Sequence, residues 1–178
     1  MKHISAPPSL SGAPLAELKR WLSIGTAHED ELLTELIAGA LALCERFTGT
    51  VPFKCEVRET MLSAAVSHRL SATPCISLID ATAIDGLDAR LLTADDYSLT
   101  FEADGCATFT LAGEIPEARL ELRYYAGAAS EWEDLDEGLR HGVIRHAAHS
   151  FRERERGEPG QLPAAIAALW RPWRKLRL

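Results

Sequence analysis

Three histidines on one predicted helix are the first candidates for metal chemistry. They are His141, His146 and His149, and at roughly 100° per residue they spread over an arc of about 140°. His146 and His149 are close enough on such a helix to touch one ligand. Zinc sites need three or four converging ligands, however, and the sequence contains no H-E-x-x-H motif. We therefore interpret the histidines as flanking residues of a packed helix and predict no metal site.

A group of aspartates between residues 80 and 96 is the second candidate, for binding a cation. Its members are Asp80, Asp85, Asp88, Asp95 and Asp96. Their spacing does not follow the calcium-loop pattern, so we assign them to turns. The sequence also lacks a G-x-S-x-G nucleophile motif, a glycine-rich phosphate loop and a dinucleotide fingerprint. We expect neither catalytic residues nor a bound cofactor.

Composition points to a globular protein of one domain, or of one domain with a small appendage. The chain has 178 residues, of which 47% are hydrophobic and 25% charged. Its cysteines form no C-x-x-C pair, so we predict reduced thiols in a cytoplasmic protein. We find neither a signal peptide nor an apolar run of membrane-spanning length in the sequence.

The charge of the chain is unevenly distributed. Residues 161–178 contain four basic side chains and no acidic one, and the remaining 160 residues carry 15 basic against 26 acidic groups, a net charge of −11. An acidic body with a basic tail indicates that the tail meets an acidic partner. The acidic body argues against a main domain that grips nucleic acid.

A helix predicted over residues 131–156 organises the chain. Five of its first seven residues are acidic, and it ends in alternating arginine and glutamate, which suits the helix dipole. Its single apolar stripe consists of Leu135, Leu139, Val143, Ile144, Ala147, Ala148 and Phe151. A matching helix over residues 26–47 starts with a predicted capping box of Thr26 and Glu29. We expect the two to pack together, beside a short helix that starts near Pro14 and ends at Gly25.

Between the two long helices, the sequence alternates with the period of two that is typical of strands. We count about five short strands, with a hairpin turn at 103–105, and assign 63–73 to a loop and 1–12 to a loose arm. The predicted fold class is α+β: a small helical body with an inserted antiparallel β domain and a C-terminal helix. The predicted boundaries are 1–50, 51–128, 129–157 and 158–178.

The C-terminal tail carries the strongest functional signal. Ile166, Leu169, Trp170 and Trp173 stand at helical spacing beside arginines, and Pro172 is expected to disturb the end of this helix. One interpretation is a last helix that folds back onto its own core. The other is docking onto another protein, because tryptophan and arginine are typical interface anchors.

Several short motifs in a fixed order resemble one family. They are LAELKRWL at 15–22, EDELL at 29–33, ERFTG at 45–49, DYSL at 96–99, YYAG at 124–127 and the segment from LPAAI at 162–166 to Arg174. In order and spacing the chain resembles the head–tail connector, or adaptor, proteins of long-tailed phages and gene transfer agents, over nearly its whole length. The phenylalanine at position 151, the long Arg/Glu alternation and the paired tryptophans depart from the pattern of many relatives.

The resemblance implies a structural protein rather than an enzyme. It implies a ring subunit, in a dodecamer, that docks onto the portal and links the DNA-filled head to the tail around a central channel. The partners implied are the portal, the next tail component (a head-closure or stopper protein), further copies of the chain, and DNA that passes without sequence-specific binding. No membrane is implied. The expected location is the bacterial cytoplasm during assembly and then the neck of a phage or phage-like particle.

Carried over to this sequence, the portal-docking segment is 162–178. The residues implied to dock are Leu162, Ile166, Leu169, Trp170, Arg171, Trp173, Arg174, Lys175 and Arg177. An alternative function is a nucleic-acid-binding accessory protein that uses the basic tail, and a third is a small metal enzyme that uses the helix histidines.

Overall fold

The computed structural model describes residues 2–4, 10–154 and 162–174 of the chain. Two compact units make up the molecule. The first, which we call the β unit, comprises Met1–Pro7 and Lys54–Ala128. The second, the helical unit, comprises Pro8–Phe53 and Ala129–Leu178. The α+β class predicted from the sequence is confirmed.

The described part of the helical unit contains four α-helices. They are α1 (Ala13–Leu22), α2 (Asp30–Thr48), α3 (Glu137–Glu153) and α4 (Ala164–Trp170). A 3-10 turn, Arg171–Trp173, follows α4 directly. Helix α3 is central because α1, α2 and α4 all pack against it. Its buried residues are Leu139, Gly142, Val143, Ile144, Ala147 and Ala148, which belong to the predicted stripe with the addition of a glycine.

The two long helices, α2 and α3, run antiparallel. At one end, the Arg154 guanidinium lies 2.7 Å from a carboxylate oxygen of Glu29, just before α2. At the other end, the ring of Phe47 lies 6.0 Å from that of Trp170, which in turn hydrogen-bonds to Leu139. The start of each helix therefore lies beside the end of the other.

Helix α3 starts at Glu137, six positions later than the sequence prediction. Asp136 is its N-cap, and the Asp136 carboxylate accepts a hydrogen bond of 2.8 Å from the backbone N–H of Gly138. The residues before it are not helical because Trp132 and Leu135 turn into the core. The Trp132 indole N–H donates to the Glu17 carboxylate over 2.8 Å, which ties the segment before α3 to α1.

The capping box predicted for α2 is wrong. The helix begins at Asp30 with Glu29 at the N-cap position, and no side chain caps it. Both acids are engaged elsewhere: Glu29 binds Arg154, and Asp30 accepts a 2.6 Å hydrogen bond from the Lys19 ammonium group. Helix α1 likewise ends at Leu22 rather than at Gly25, because Ser23 takes the left-handed conformation that terminates it.

The β unit contains two antiparallel sheets. Its strands are β1 (Lys2–Ile4), β2 (Cys55–Leu62), β3 (Ser67–Arg69), β4 (Cys75–Asp85), β5 (Asp88–Leu91), β6 (Tyr97–Phe101), β7 (Ala107–Leu111) and β8 (Arg119–Ala126). One sheet has the order β1-β2-β8-β4-β5, and the other has the order β3-β7-β6. The predicted turn at 103–105 joins β6 to β7, and Gly105 supplies its positive φ of 79°.

One face of the larger sheet is apolar. Val57, Leu120, Leu122 and Tyr124 are fully buried, while the intervening residues of β2 and β8 point the other way. The Tyr124 hydroxyl donates to the Glu59 carboxylate over 2.7 Å and accepts from a backbone N–H, so the buried phenol is satisfied. Burial, followed by the hydrogen bond to Glu59, raises the pKa of Tyr124 well above its usual value.

The sequence prediction missed three of the eight strands found in the described residues. Strand β3 lies inside the predicted loop, β5 follows the turn at Gly86, and β1 lies in the predicted loose arm, where Lys2 pairs with Glu59. Each has only three or four residues and sits at the edge of its sheet. So short a strand shows too few alternations for a period of two to stand out.

Replacement of Asp136 by alanine tests the observed start of α3. The Asp136→Ala variant should lose about 1 kcal/mol of unfolding free energy, because the Gly138 N–H loses its acceptor. Chemical denaturation measures the loss. Asp134→Ala, at an exposed acid before the helix, is the matched control and should change stability little. Equal losses in the two variants would contradict the assignment of the cap.

Candidate docking segment

The segment 162–174, which we call the docking segment, contains seven of the nine residues implied to bind the portal. Pro163 stands at the N-cap of α4, and its carbonyl accepts from the N–H groups of Ile166 and Ala167 over 2.9 and 3.0 Å. Helix α4 gives way to the 3-10 turn at Arg171, and Pro172 lies in that turn, as the sequence predicts. Lys175 and Arg177 lie outside the described residues.

The inner face of the docking segment belongs to the core of the helical unit. Ile166 and Trp170 are 3% and 0% exposed. Leu162, Leu169 and Trp173 are half buried and pack against the same core. The apolar spacing seen in the sequence therefore faces the chain's own helices.

The Trp170 indole is held by polar and aromatic neighbours. Its N–H donates a 3.2 Å hydrogen bond to the carbonyl oxygen of Leu139 in α3. Its ring lies 6.0 Å from that of Phe47 in α2 and 6.3 Å from that of His146. The hydrogen bond to Leu139 satisfies the one polar atom of this fully buried side chain, because a buried indole N–H needs an acceptor.

The outer face of the docking segment is basic. Arg171 and Arg174 are both exposed. The Arg174 guanidinium lies over the ring of Phe47, 5.6 Å from its centroid, so cation–π contact restrains one arginine. The docking segment thus presents two guanidinium groups on its outer face, while its inner face is buried.

The three helix histidines have separate neighbours. His141 lies edge-on to Trp21 with 5.3 Å between ring centroids, and His149 Nε2 lies 2.9 Å from a carboxylate oxygen of Glu153. His146 Nδ1 lies 3.3 Å from the Ser150 hydroxyl oxygen. Burial, with a smaller effect of the neighbouring His149, lowers the pKa of His146. Within the described ranges, no three His, Cys, Asp or Glu side chains form a group that could hold a metal ion.

The aspartate group is dispersed over the β unit. Asp80 pairs with Arg123 at 3.0 Å, and Asp85 stands opposite Asp88 across the β4–β5 turn. Asp96 accepts from the N–H and hydroxyl of Thr93, and these hydrogen bonds lower the pKa of Asp96.

The four cysteines are free and buried. Burial raises the pKa of Cys44 to about 12 and that of Cys75 to about 11, which keeps both thiols protonated near neutral pH. Among the helices that the structure describes, none combines the length and apolarity needed to cross a membrane.

Sequence analysis missed the residues that receive the docking segment. They are Phe47, the Leu139 carbonyl, and two glycines of α3, Gly138 and Gly142, which lie against the indoles of Trp173 and Trp170. One signal was available: glycines within a predicted helix, where they cost stability, indicate a packing requirement. The identity of the packed residue could not be read from that signal.

Comparison with solved structures shows what fold the chain adopts. A chain in the neck of the empty gene transfer agent (GTA) particle, computed with C6 symmetry, matches with a TM-score of 0.82 and 22% identity. A chain in the virion of the native GTA particle matches with 0.80 and 21%, and one in the neck of the native GTA particle, computed with C12 symmetry, with 0.79 and 20%. Each match covers 100% of this chain and 97% of the other. The chain shares its fold with these GTA particle chains. No protein-family model matches the chain, and comparison with curated protein sequences gives no match.

Truncation of Trp170 should cost far more stability than truncation of Trp173. Trp170→Ala removes a fully buried indole and leaves a cavity, so we expect a loss of about 3–5 kcal/mol in unfolding free energy. Trp173→Ala, at a half-buried position in the same segment, is the control and should lose less. Denaturant titration of both variants measures the loss of unfolding free energy. Similar losses in the two variants would contradict the observed burial of Trp170.

Stability should also depend on His146. Its pKa is lowered in the folded protein, so the unfolded chain binds more protons below the ordinary value of 6.5. The unfolding free energy contributed at this site is complete at about pH 7.5, one unit above the unfolded pKa, and it falls as the pH drops through that pKa towards the lowered pKa of the folded state. Denaturation across this range should show a smaller decline in His146→Gln. An identical decline in both proteins would assign the effect to other groups.

Proposed function

We propose that this chain is a structural subunit of the neck of a phage-like particle, a head–tail connector or adaptor. The observation that carries the proposal is the shared fold along the full length of chains from gene transfer agent particles, two of them from the particle neck. Agreement over 100% of one chain and 97% of the other means that the helical unit, the β unit and the docking segment all have counterparts there. The order of short motifs in the sequence supports the same family.

In this proposal the docking segment binds the portal. The exposed Arg171 and Arg174, with Lys175 and Arg177 beyond them, would meet an acidic portal surface, and the half-buried Leu162, Leu169 and Trp173 would add apolar contact. Ile166 and Trp170 would hold the segment from inside, because both are buried in the helical unit. Docking would then use a segment that is already folded in the free subunit, which lowers the entropy cost of binding.

We further propose that the subunits form a dodecameric ring around a DNA channel. A ring with twelvefold symmetry also has sixfold symmetry. One dodecamer is therefore compatible with both the C12 and the C6 symmetry with which the two GTA necks were computed. Residues 1–160 carry a net charge of −11, which would let DNA pass without a grip on its phosphates. The subunit would assemble in the bacterial cytoplasm, bind the portal on one side and meet the head-closure or stopper protein on the other.

Native mass spectrometry tests the ring. The purified chain mixed with the portal protein of its own particle should give a complex with twelve copies of the 19.5 kDa subunit, because the proposed ring consists of twelve equivalent subunits. The chain measured alone shows whether the ring needs the portal. A mixture in which portal and chain stay separate at micromolar concentration would overturn the connector proposal.

Charge reversal tests the docking face. The variant with Arg171→Glu and Arg174→Glu should bind the portal about tenfold more weakly, equivalent to about 1.4 kcal/mol, because two outward charges then repel an acidic surface. Arg20→Glu, at an exposed basic residue of α1, is the matched control.

Salt-dependent DNA binding separates the connector from a nucleic-acid accessory protein. If the double variant binds the portal normally but loses salt-dependent DNA binding, the basic tail serves nucleic acid instead.

A further inference from the structure

Two glycines of α3 make room for the two tryptophans of the docking segment. A Cβ at Gly142 would lie 2.1 Å from Nε1 and 2.7 Å from Cε2 of Trp170. A Cβ at Gly138 would lie 2.5 Å from Cη2 of Trp173. Non-bonded atoms do not approach this closely, so any side chain at either position would displace an indole from α3.

The backbone itself does not require glycine at these positions. Both residues lie within α3, and the glycines with positive φ are found elsewhere in the described chain, at positions 49, 86, 105 and 127. Apart from proline, glycine is the least favourable residue inside a helix. The room that they leave for the indoles is therefore what these two glycines contribute.

The seated indoles fix the place of the two exposed arginines. Arg171 directly follows Trp170, and Arg174 directly follows Trp173. The 3-10 turn links them, since the Arg174 N–H donates to the Arg171 carbonyl over 3.1 Å. The hydrogen bond from the Trp170 indole to the Leu139 carbonyl restrains the orientation of the docking segment on α3. A shift of this segment on α3 would move the backbone from which both arginines project.

We propose that Gly138 and Gly142 are positioning residues for docking. By letting Trp170 and Trp173 lie against α3, they determine where Arg171 and Arg174 meet the acidic surface of the partner. This inference rests on the proposed function, in which that partner is the portal. The glycines would act without contacting the partner, because Gly142 is buried and Gly138 lies behind Trp173.

A matched pair of glycine-to-alanine variants tests the inference. Gly39 lies inside α2, is exposed, and has no atom within 4 Å of an added Cβ. Gly39→Ala should raise the melting temperature and leave portal affinity unchanged, because alanine favours helix. Gly142→Ala should lower the melting temperature and shift tryptophan emission to longer wavelength. It should also weaken portal binding by about tenfold, the loss expected when two charged contacts move together.

Positioning must be separated from a general loss of stability. Leu33→Ala opens a cavity in the same core near the other end of α2, about 21 Å along the helix from Phe47. It should lower the melting temperature, yet bind the portal normally at a temperature where the protein is folded. Trp170→Leu removes Nε1 and Cε2, the two atoms nearest to the added methyl group. Combined with Gly142→Ala, it should lose less affinity than the two single variants added together.

The outcomes distinguish this inference from the proposed function. If Gly142→Ala displaces the indole, as its fluorescence reports, but binds the portal as tightly as the unmodified chain, positioning is refuted while docking stands. If the unmodified chain does not bind the portal, docking fails and positioning fails with it. If Gly142→Ala does not fold, Gly138→Ala decides in the same assays, because Trp173 is only half buried.

Discussion

The helical unit depends on the burial of α3 by three neighbouring helices. Helices α1, α2 and α4 cover its sides, so that only Glu137 and Arg152, near its ends, have exposed side chains. A helix of seven residues such as α4 is too short to be stable alone and exists here because α3 offers it an apolar surface. The place of the docking segment, and hence of its arginines, follows from this packing.

Charged groups orient this packing more than they stabilise it. The pairs Arg154–Glu29 and Lys19–Asp30 join element ends at 2.7 and 2.6 Å, but all four side chains keep partial access to solvent. Such pairs contribute little individually, because water screens the attraction and ordering costs entropy. The Arg154–Glu29 pair joins the end of α3 to the start of α2, which favours their antiparallel arrangement, and the Lys19–Asp30 pair joins α1 to α2.

Much of the fold could be predicted because its signals are local. The stripe that includes Leu139 and Val143 predicts a buried helix face, and the alternation along 120–125 predicts β8. A hairpin turn around Gly105 needs only its own residues. The capping box of α2 was predicted by the same local logic and is absent: the helix begins at Asp30, and Glu29 lies at the N-cap position and pairs with the distant Arg154. Strand β1 escaped prediction because its three residues show too few alternations to stand out.

The sequence by itself determined the class of fold, the helical spacing of the tail and the uneven distribution of charge, since each depends on residue type and near neighbours. It also left three roles open for the tail: folding onto its own core, docking onto another protein, or binding nucleic acid. Only the tertiary structure decided which side chains face which way. Trp170 is buried because α3 carries a glycine and a free carbonyl lone pair at the point of contact, while Arg171 and Arg174 stay outside. That division depends on residues about thirty positions apart meeting in space, which periodicity along the chain cannot encode.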